Sequence, residues 1–324
     1  MKLNKTLILW GAAVFLVLAY IFSFAFIQKN DKRKSFKTAY VNSKYVNDIN
    51  KFQLTKNEGS IFLTKHDGKW YVQQNDKDNF IPADQERIQR FLSELIKVRS
   101  MYKISDSINT FDARKFSSDD SYCIKYQTSS QIFPELLFGK MDFAQISRYF
   151  MNGKSAAVYE TDTSLDVFSS VSVQNWSDPN IVSKALVGNV SSVKEVQSIK
   201  VILGNKQKLL TSSSENFYDI CSKFLDLRHG GIFYDSDSEQ ETSSSANLES
   251  NASKTFEEPL FIELEFGNKS SADFLIEQKG EGTFKVHCTY KFEKGRSSGN
   301  SNSTIEYNVK ISSWTYNKIK EIML

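Results

Sequence analysis

Histidine, cysteine and proline are all scarce in this chain. Its 324 residues include three histidines, three cysteines and four prolines. Cys123, Cys221 and Cys288 are odd in number and no C-x-x-C occurs, which excludes a disulfide framework and a structural zinc ligand set. Each sits among apolar neighbours, so the three read as buried, reduced thiols. One disulfide with one free thiol is the alternative. The histidines, His66, His229 and His287, are scattered. His287 adjoins Cys288, but successive strand residues point to opposite faces, so the two do not make a nucleophile and its base. So few prolines argue against long disordered linkers. Strong charge of one sign is missing too, and a net charge of +3 supplies no basic field for nucleic acid.

Reaction motifs are also missing. There is no G-x-S-x-G, H-E-x-x-H, P-loop or G-x-G-x-x-G. Asp119-Asp120 and Glu257-Glu258 are adjacent carboxylates at strand starts. A glycosidase needs two carboxylates about 5 to 9 Å apart across a cleft, and these pairs read as solvated loop charge. Trp70 and Tyr149 read as core aromatics rather than sugar platforms. No catalytic, cofactor-binding or metal-ligating residue is assigned.

What the chain does have is a long apolar run. From Leu7 to Ile27 there are 21 residues without a charge. At about 1.5 Å per residue, a helix of that length spans the hydrocarbon core of a bilayer. Ser23-Phe24-Ala25 resembles a signal-peptide cleavage site, but a cleaved signal has an apolar core of only about 7 to 15 residues. A buried soluble helix this long would carry a polar face. The run therefore reads as an uncleaved anchor. Lys2 and Lys5 precede it, and Lys29, Lys32, Arg33, Lys34 and Lys37 follow. Taken alone, that bias places the large domain in the cytoplasm. No cysteine follows the run directly, so it is not a lipoprotein anchor.

The rest of the chain reads as one unit used twice. Ile88, Phe91, Leu92, Leu95 and Ile96 form an amphipathic stripe from about Asp84 to Arg99, with Asp84 as N-cap after Pro82. Adding 129 to each number gives Phe217, Ile220, Cys221, Phe224 and Leu225, a second stripe from about Ser213 to Arg228. Identities fall at Ser93/Ser222, Arg99/Arg228, Asp106/Asp235 and Ser107/Ser236, and Ser212-x-x-Glu215 has capping-box spacing. A hairpin precedes each helix: 60–64 with 69–73 around His66-Asp67-Gly68, and 199–203 with 208–211 around Gly204-Asn205. Alternating strands follow, at 122–126, 136–138, 147–151 and 156–160, then at 260–266, 273–276, 283–290 and 304–311. Short helical pieces close the units at 165–171 and 314–324. The expected order is β-β-α-β-β-β-β-α, twice. Residues 236–254 are polar, rich in Ser and Glu, and read as a surface insertion. Residues 294–303 read as a flexible hairpin tip.

Several short motifs carry a family resemblance. These are Gly68-Lys69-Trp70, then Pro82-Ala83-Asp84 opening the helix with Ile88, Leu92 and Leu95, then Leu137-Phe138-Gly139, Arg148-Tyr149 and Ala157-Val158-Tyr159. In this order and spacing, residues 50 to 200 resemble a bacterial envelope family known as domain of unknown function 4340. The resemblance implies an N-terminally anchored protein whose domain lies outside the cytoplasmic membrane, associated with ABC transporter subunits of the gliding-motility type. It brings no catalysis and no defined ligand. On orientation it opposes the local charge count, and we follow the resemblance.

The expected fold is α+β: an N-terminal transmembrane helix, then two repeated units of antiparallel sheet, each with one packed helix. The expected boundaries are an anchor at 1–28, a juxtamembrane linker at 29–50, a first repeat at 51–175, a connector at 176–194 and a second repeat at 195–324. The expected function is a membrane-tethered, non-enzymatic accessory or scaffold of an envelope ABC-transporter complex. It would be single-pass in the bacterial cytoplasmic membrane through residues 7–27, use no cofactor and bind no nucleic acid. A domain binding envelope glycan or peptide is the alternative, and an envelope hydrolase is a third.

Overall fold

The structure is a computed structural model and describes residues 13–20, 35–57, 59–75, 79–108, 113–187, 195–234, 257–267, 270–292 and 303–324. Two antiparallel sheets and a few helices make the fold α+β. Among the described residues no helix is long and apolar enough to cross a membrane. Of the apolar run, residues 13–20 are described, and they are helical with exposed side chains. The remainder of that run, the insertion at 236–254 and residues 294–302 lie outside the described residues.

The strands, in chain order, are β1 (Ser35–Thr38), β2 (Ile49–Lys56), β3 (Gly59–His66), β4 (Lys69–Gln73), β5 (Ile81–Pro82), β6 (Arg99–Ser105), β7 (Tyr122–Thr128), β8 (Leu136–Met141), β9 (Arg148–Asn152), β10 (Val158–Thr161), β11 (Val196–Leu203), β12 (Lys206–Thr211), β13 (Gly231–Ile232), β14 (Leu260–Phe266), β15 (Ser271–Gly280), β16 (Thr283–Phe292) and β17 (Ser303–Ser312). The labelled helices are α1 (Gln85–Ile96), α2 (Val173–Trp176), α3 (Lys184–Val187), α4 (Phe217–Leu225) and α5 (Ser313–Met323). The chain divides into two compact units. The first comprises residues 1–46, 94–123 and 134–167; the second comprises 47–93, 124–133 and 168–324.

In the first unit the strand order is β1-β6-β10-β9-β8, every neighbour antiparallel. Tyr40, Phe138 and Phe150 meet there with ring centroids 5.0 to 5.2 Å apart, and Tyr122 stacks on Phe138 at 4.7 Å. Two arginines are buried in this unit. Arg99 donates to Asp162 Oδ1 and Ser164 Oγ at 2.7 Å each and lies over the Tyr40 ring. Arg148 pairs with Asp166 and donates to the carbonyls of Asp120 and Gly139. A buried charge is tolerated only when paired and hydrogen-bonded, as both are here. Burial pushes the Asp162 carboxyl up, but the Ser164 bonds and the Arg99 charge outweigh it and hold it below the usual carboxylate range.

In the second unit β2, β3, β4 and β5 are neighbours in that order. Asp67 and Gly68 turn β3 into β4 with φ of 49° and 79°, the left-handed pair a type I′ hairpin requires. Ile88, Phe91 and Leu92 of α1 are buried, and Phe91 touches Phe52, Phe168 and Trp176 at ring distances of 5.1 to 5.5 Å. Asp84 caps the helix, its Oδ1 accepting from the Arg87 N–H at 3.0 Å. The seven-stranded sheet runs β12-β11-β14-β15-β16-β17-β13. Alternate residues of β14, β15 and β16 are buried, the period-two pattern of a sheet with one covered face. Phe224 of α4 meets Phe274 edge-on at 5.8 Å, and Tyr316 of α5 stacks on Phe284 at 4.0 Å.

Several expectations need correction. The capping box at Ser212 and Glu215 does not form. Instead Ser214 Oγ accepts from the Thr211 N–H, Asn216 takes a left-handed φ of 58°, and α4 starts only at Phe217. It ends at Leu225, short of Arg228. Residues 165–171 hold one 3₁₀ turn, Asp166–Phe168, rather than a longer helix. Strands β1, β2, β5, β6 and β13 add to the expected order, β1 and the start of β2 lying within the expected linker at 29–50, and β6 and β13 bear on the comparison of the two halves. In each, the strand after the helix returns beside the last strand of the following meander, β6 beside β10 and β13 beside β17. The identity Arg99/Arg228 carries no shared role, since Arg99 is buried and Arg228 is exposed.

Candidate functional site

A polar concavity of the second unit is built around the connector. Asp84 N–H donates to Trp176 O and Asp178 N–H to Pro82 O, both at 2.8 Å. Further on, Ile181 N–H donates to Leu227 O and His229 N–H to Pro179 O, both at 3.0 Å. Residues 176–181 are thus held between the start of α1 and the chain just beyond α4. Asp178-Pro179, which from sequence reads as a turn or a helix start, is the centre of this arrangement. The Asp178 side chain accepts from Asn180 N–H and Nδ2 through Oδ1 and from Ser183 Oγ through Oδ2. Ser183 N–H donates in turn to Tyr290 Oη at 2.8 Å, and the Tyr290 hydroxyl donates to Ile181 O at 3.3 Å.

His229 completes the support. Gly231 N–H donates to its Nδ1 at 3.1 Å, so Nδ1 is the unprotonated nitrogen and Nε2–H faces Asp178 O at 2.7 Å. Burial lowers its pKa, and the contact with Asp178 only partly opposes this. The ring is held neutral.

Over this support opens a cleft of about 610 Å³ lined by Asp84, Glu86, Arg90, Asp178, Lys184 and Arg228 among others. Both signs of charge line it. Asp84 and Asp178 spend carboxylate oxygens on the cap and the connector, and Lys184 pairs with exposed Asp226 at 3.4 Å. Arg90 and Arg228 make no ion pair among the described residues. The cleft offers cationic hydrogen-bond donors to a ligand, and its lining includes no cysteine, serine or histidine that would act as a nucleophile or its base.

The sequence-derived candidates do not converge there. Cys288 is fully buried and its thiol is pushed up by burial, while His287 bonds Asn308 on the opposite face of β16. Burial raises the Cys221 thiol to about 12, and all three cysteines are thiols outside any disulfide. Cys123 is only half-buried. Asp119 and Asp120 are exposed, and exposed Glu257 accepts from Tyr316 and Lys320. Trp70 is core, its backbone N–H and C=O both held by the Gln85 amide. Tyr149 lies beneath Lys115. Among the described residues no group of three or more His, Cys, Asp or Glu is placed to hold a metal ion.

A second feature belongs to the first unit. Thr161 pairs with Arg148 and Arg99 binds Asp162, so residues 97–98, 142–147 and 162–167 come together at one end of its strands. That end displays Phe143, Ile146, Val98 and Val167 at 106, 74, 65 and 67% exposure. The 142–147 turn is organised from within, Asp142 Oδ1 accepting from the N–H groups of Ile146 and Ser147 at 3.0 and 3.1 Å. These bonds hold the Asp142 carboxyl below its usual range.

No protein-family model, curated protein or solved structure matches this chain.

Proposed function

We propose that the chain is a membrane-tethered, non-catalytic accessory or scaffold of an envelope ABC-transporter complex. In this reading residues 7–27 form a single transmembrane helix, and the large domain, built from two repeated units, lies on the extracytoplasmic side of a bacterial cytoplasmic membrane. The observation that carries the docking role is the apolar end of the first unit. A monomeric protein rarely gathers large exposed apolar side chains on a pre-organised turn without a surface to place them against. The exposed apolar helix at 13–20 supports the anchor, and the recurrent return of the post-helix strand beside the last strand supports the repeat. The motif resemblance supports a transporter subunit as the partner. Tethering confines both proteins to one plane, so modest affinity suffices.

The test is to purify the full-length protein in mild detergent, as wild type and as Phe143→Asp/Ile146→Asp. The reading expects the wild type to bring down transporter subunits and the double variant to lose them while keeping its melting temperature. Capture unaffected by the double variant removes the docking role from this end of the unit.

A second reading, a domain that binds envelope peptide, is favoured by the cleft around Asp178. Arg90 and Arg228, without an ion pair among the described residues, beside an acidic wall suit a ligand carrying a carboxylate and an amine. Loss of peptide binding in Arg228→Ala, with transporter capture intact, would make this the primary role.

A further inference from the structure

A smaller cavity of about 270 Å³ lies apart from the polar cleft in the second unit, between the β3–β4 turn and the facing ends of β16 and β17. Its lining is rich in rings. Tyr71 meets Phe80 edge-on at 5.5 Å, and the His66 ring lies nearly parallel to Phe80 at 6.1 Å. Phe80 is 41% exposed, so its ring is open to a visitor. On the opposite side Lys69 Nζ sits 5.4 Å from the centre of the Phe292 ring. Its ammonium group donates to Leu186 O at 2.9 Å. An ammonium carries three donors, and the other two have no protein partner among the described residues. Burial lowers the Lys69 pKa, against the attraction of Asp67. Asp67 and Thr304 also line the cavity and supply oxygen acceptors.

Each part restricts the ligand. Ring faces favour a flat, weakly polar surface, and few but well-placed polar groups set orientation in such pockets. The two open Lys69 donors favour an anion, against the Asp67 carboxylate of the same lining. These acceptors match hydroxyl groups, which benzoate lacks. We propose that this pocket binds one acidic sugar unit, a pyranose ring carrying a carboxylate, with the ring against Phe80 and the carboxylate on Lys69. The proposal needs neither the tether nor a transporter partner, so it stands or falls apart from the assembly role.

The test uses the full chain in detergent micelles and calorimetric titration with glucuronate, glucose and benzoate. Glucuronate is expected to bind in the millimolar range, at least about tenfold tighter than either glucose or benzoate, since one charge-assisted contact separates them. Lys69→Met should abolish the preference for glucuronate over glucose, and Lys69→Arg should keep it. Phe80→Ala, at an exposed position that leaves folding intact, should weaken glucuronate and glucose alike. Absence of glucuronate binding, a preference that survives Lys69→Met, or tighter binding of benzoate than of glucuronate would each overturn the proposal, the last by making this an aromatic-acid site.

Discussion

Protonating His229 would place a proton on Nδ1, where the Gly231 N–H already points. The folded state therefore refuses a proton that the unfolded chain accepts, and the pKa is lowered from its ordinary value of 6.5. Above that value both states are neutral and the ring's contribution is fully present. As pH falls below it, the unfolded state gains protons and stability drops. Urea midpoints should fall from pH 7.5 to pH 5.5, and His229→Gln should flatten that part of the slope. An unchanged slope in the variant would mean the ring is not held neutral. None of this was legible from sequence, because His229 finds its partners at Asp178 and Gly231 only through the fold. The same holds for Arg99 with Asp162 and Arg148 with Asp166. A buried charge looks like any surface charge until its distant partner is brought to it.

The amphipathic stripes of α1 and α4 could be read directly because a helix repeats its buried face every three to four residues, whatever it packs on. Leu92→Ala or Phe224→Ala should each lower stability by about 2 to 5 kcal/mol, as truncations of buried side chains do. A denaturant midpoint equal to wild type for both would contradict the burial described. The Asp67-Gly68 turn was equally plain, since few residues accept its geometry. The start of α4 was not: Ser212 and Glu215 satisfy a spacing rule, yet Ser214 turns back onto Thr211 and Asn216 breaks the helical path. Strand β2 escaped notice because its burial runs Ile49, Phe52, Leu54, out of step with strict alternation. Strand β13 is two residues long and has no pattern to read.

For the molecule as a whole, the proposed orientation rests on the motif resemblance against five basic residues after the apolar run. A reporter active only after export, fused behind Leu324, should be active. Activity of a cytoplasm-only reporter at that junction would place the domain on the other side and exclude the envelope role. The return of β13 beside β17 has its own consequence for how the chain is made. Gly231 pairs with Lys310, and β17 also completes β16, with Thr283 opposite Ser312. During synthesis, β13 and the open edge of β16 must wait until β17 has left the ribosome, whereas β11, β12 and β14 already have one another as neighbours. Pairings between segments so far apart in sequence are slow to close. The β17–β13 edge of the second sheet is therefore a late product of translation, and in the interval before β17 arrives the open β16 edge is exposed to misassembly.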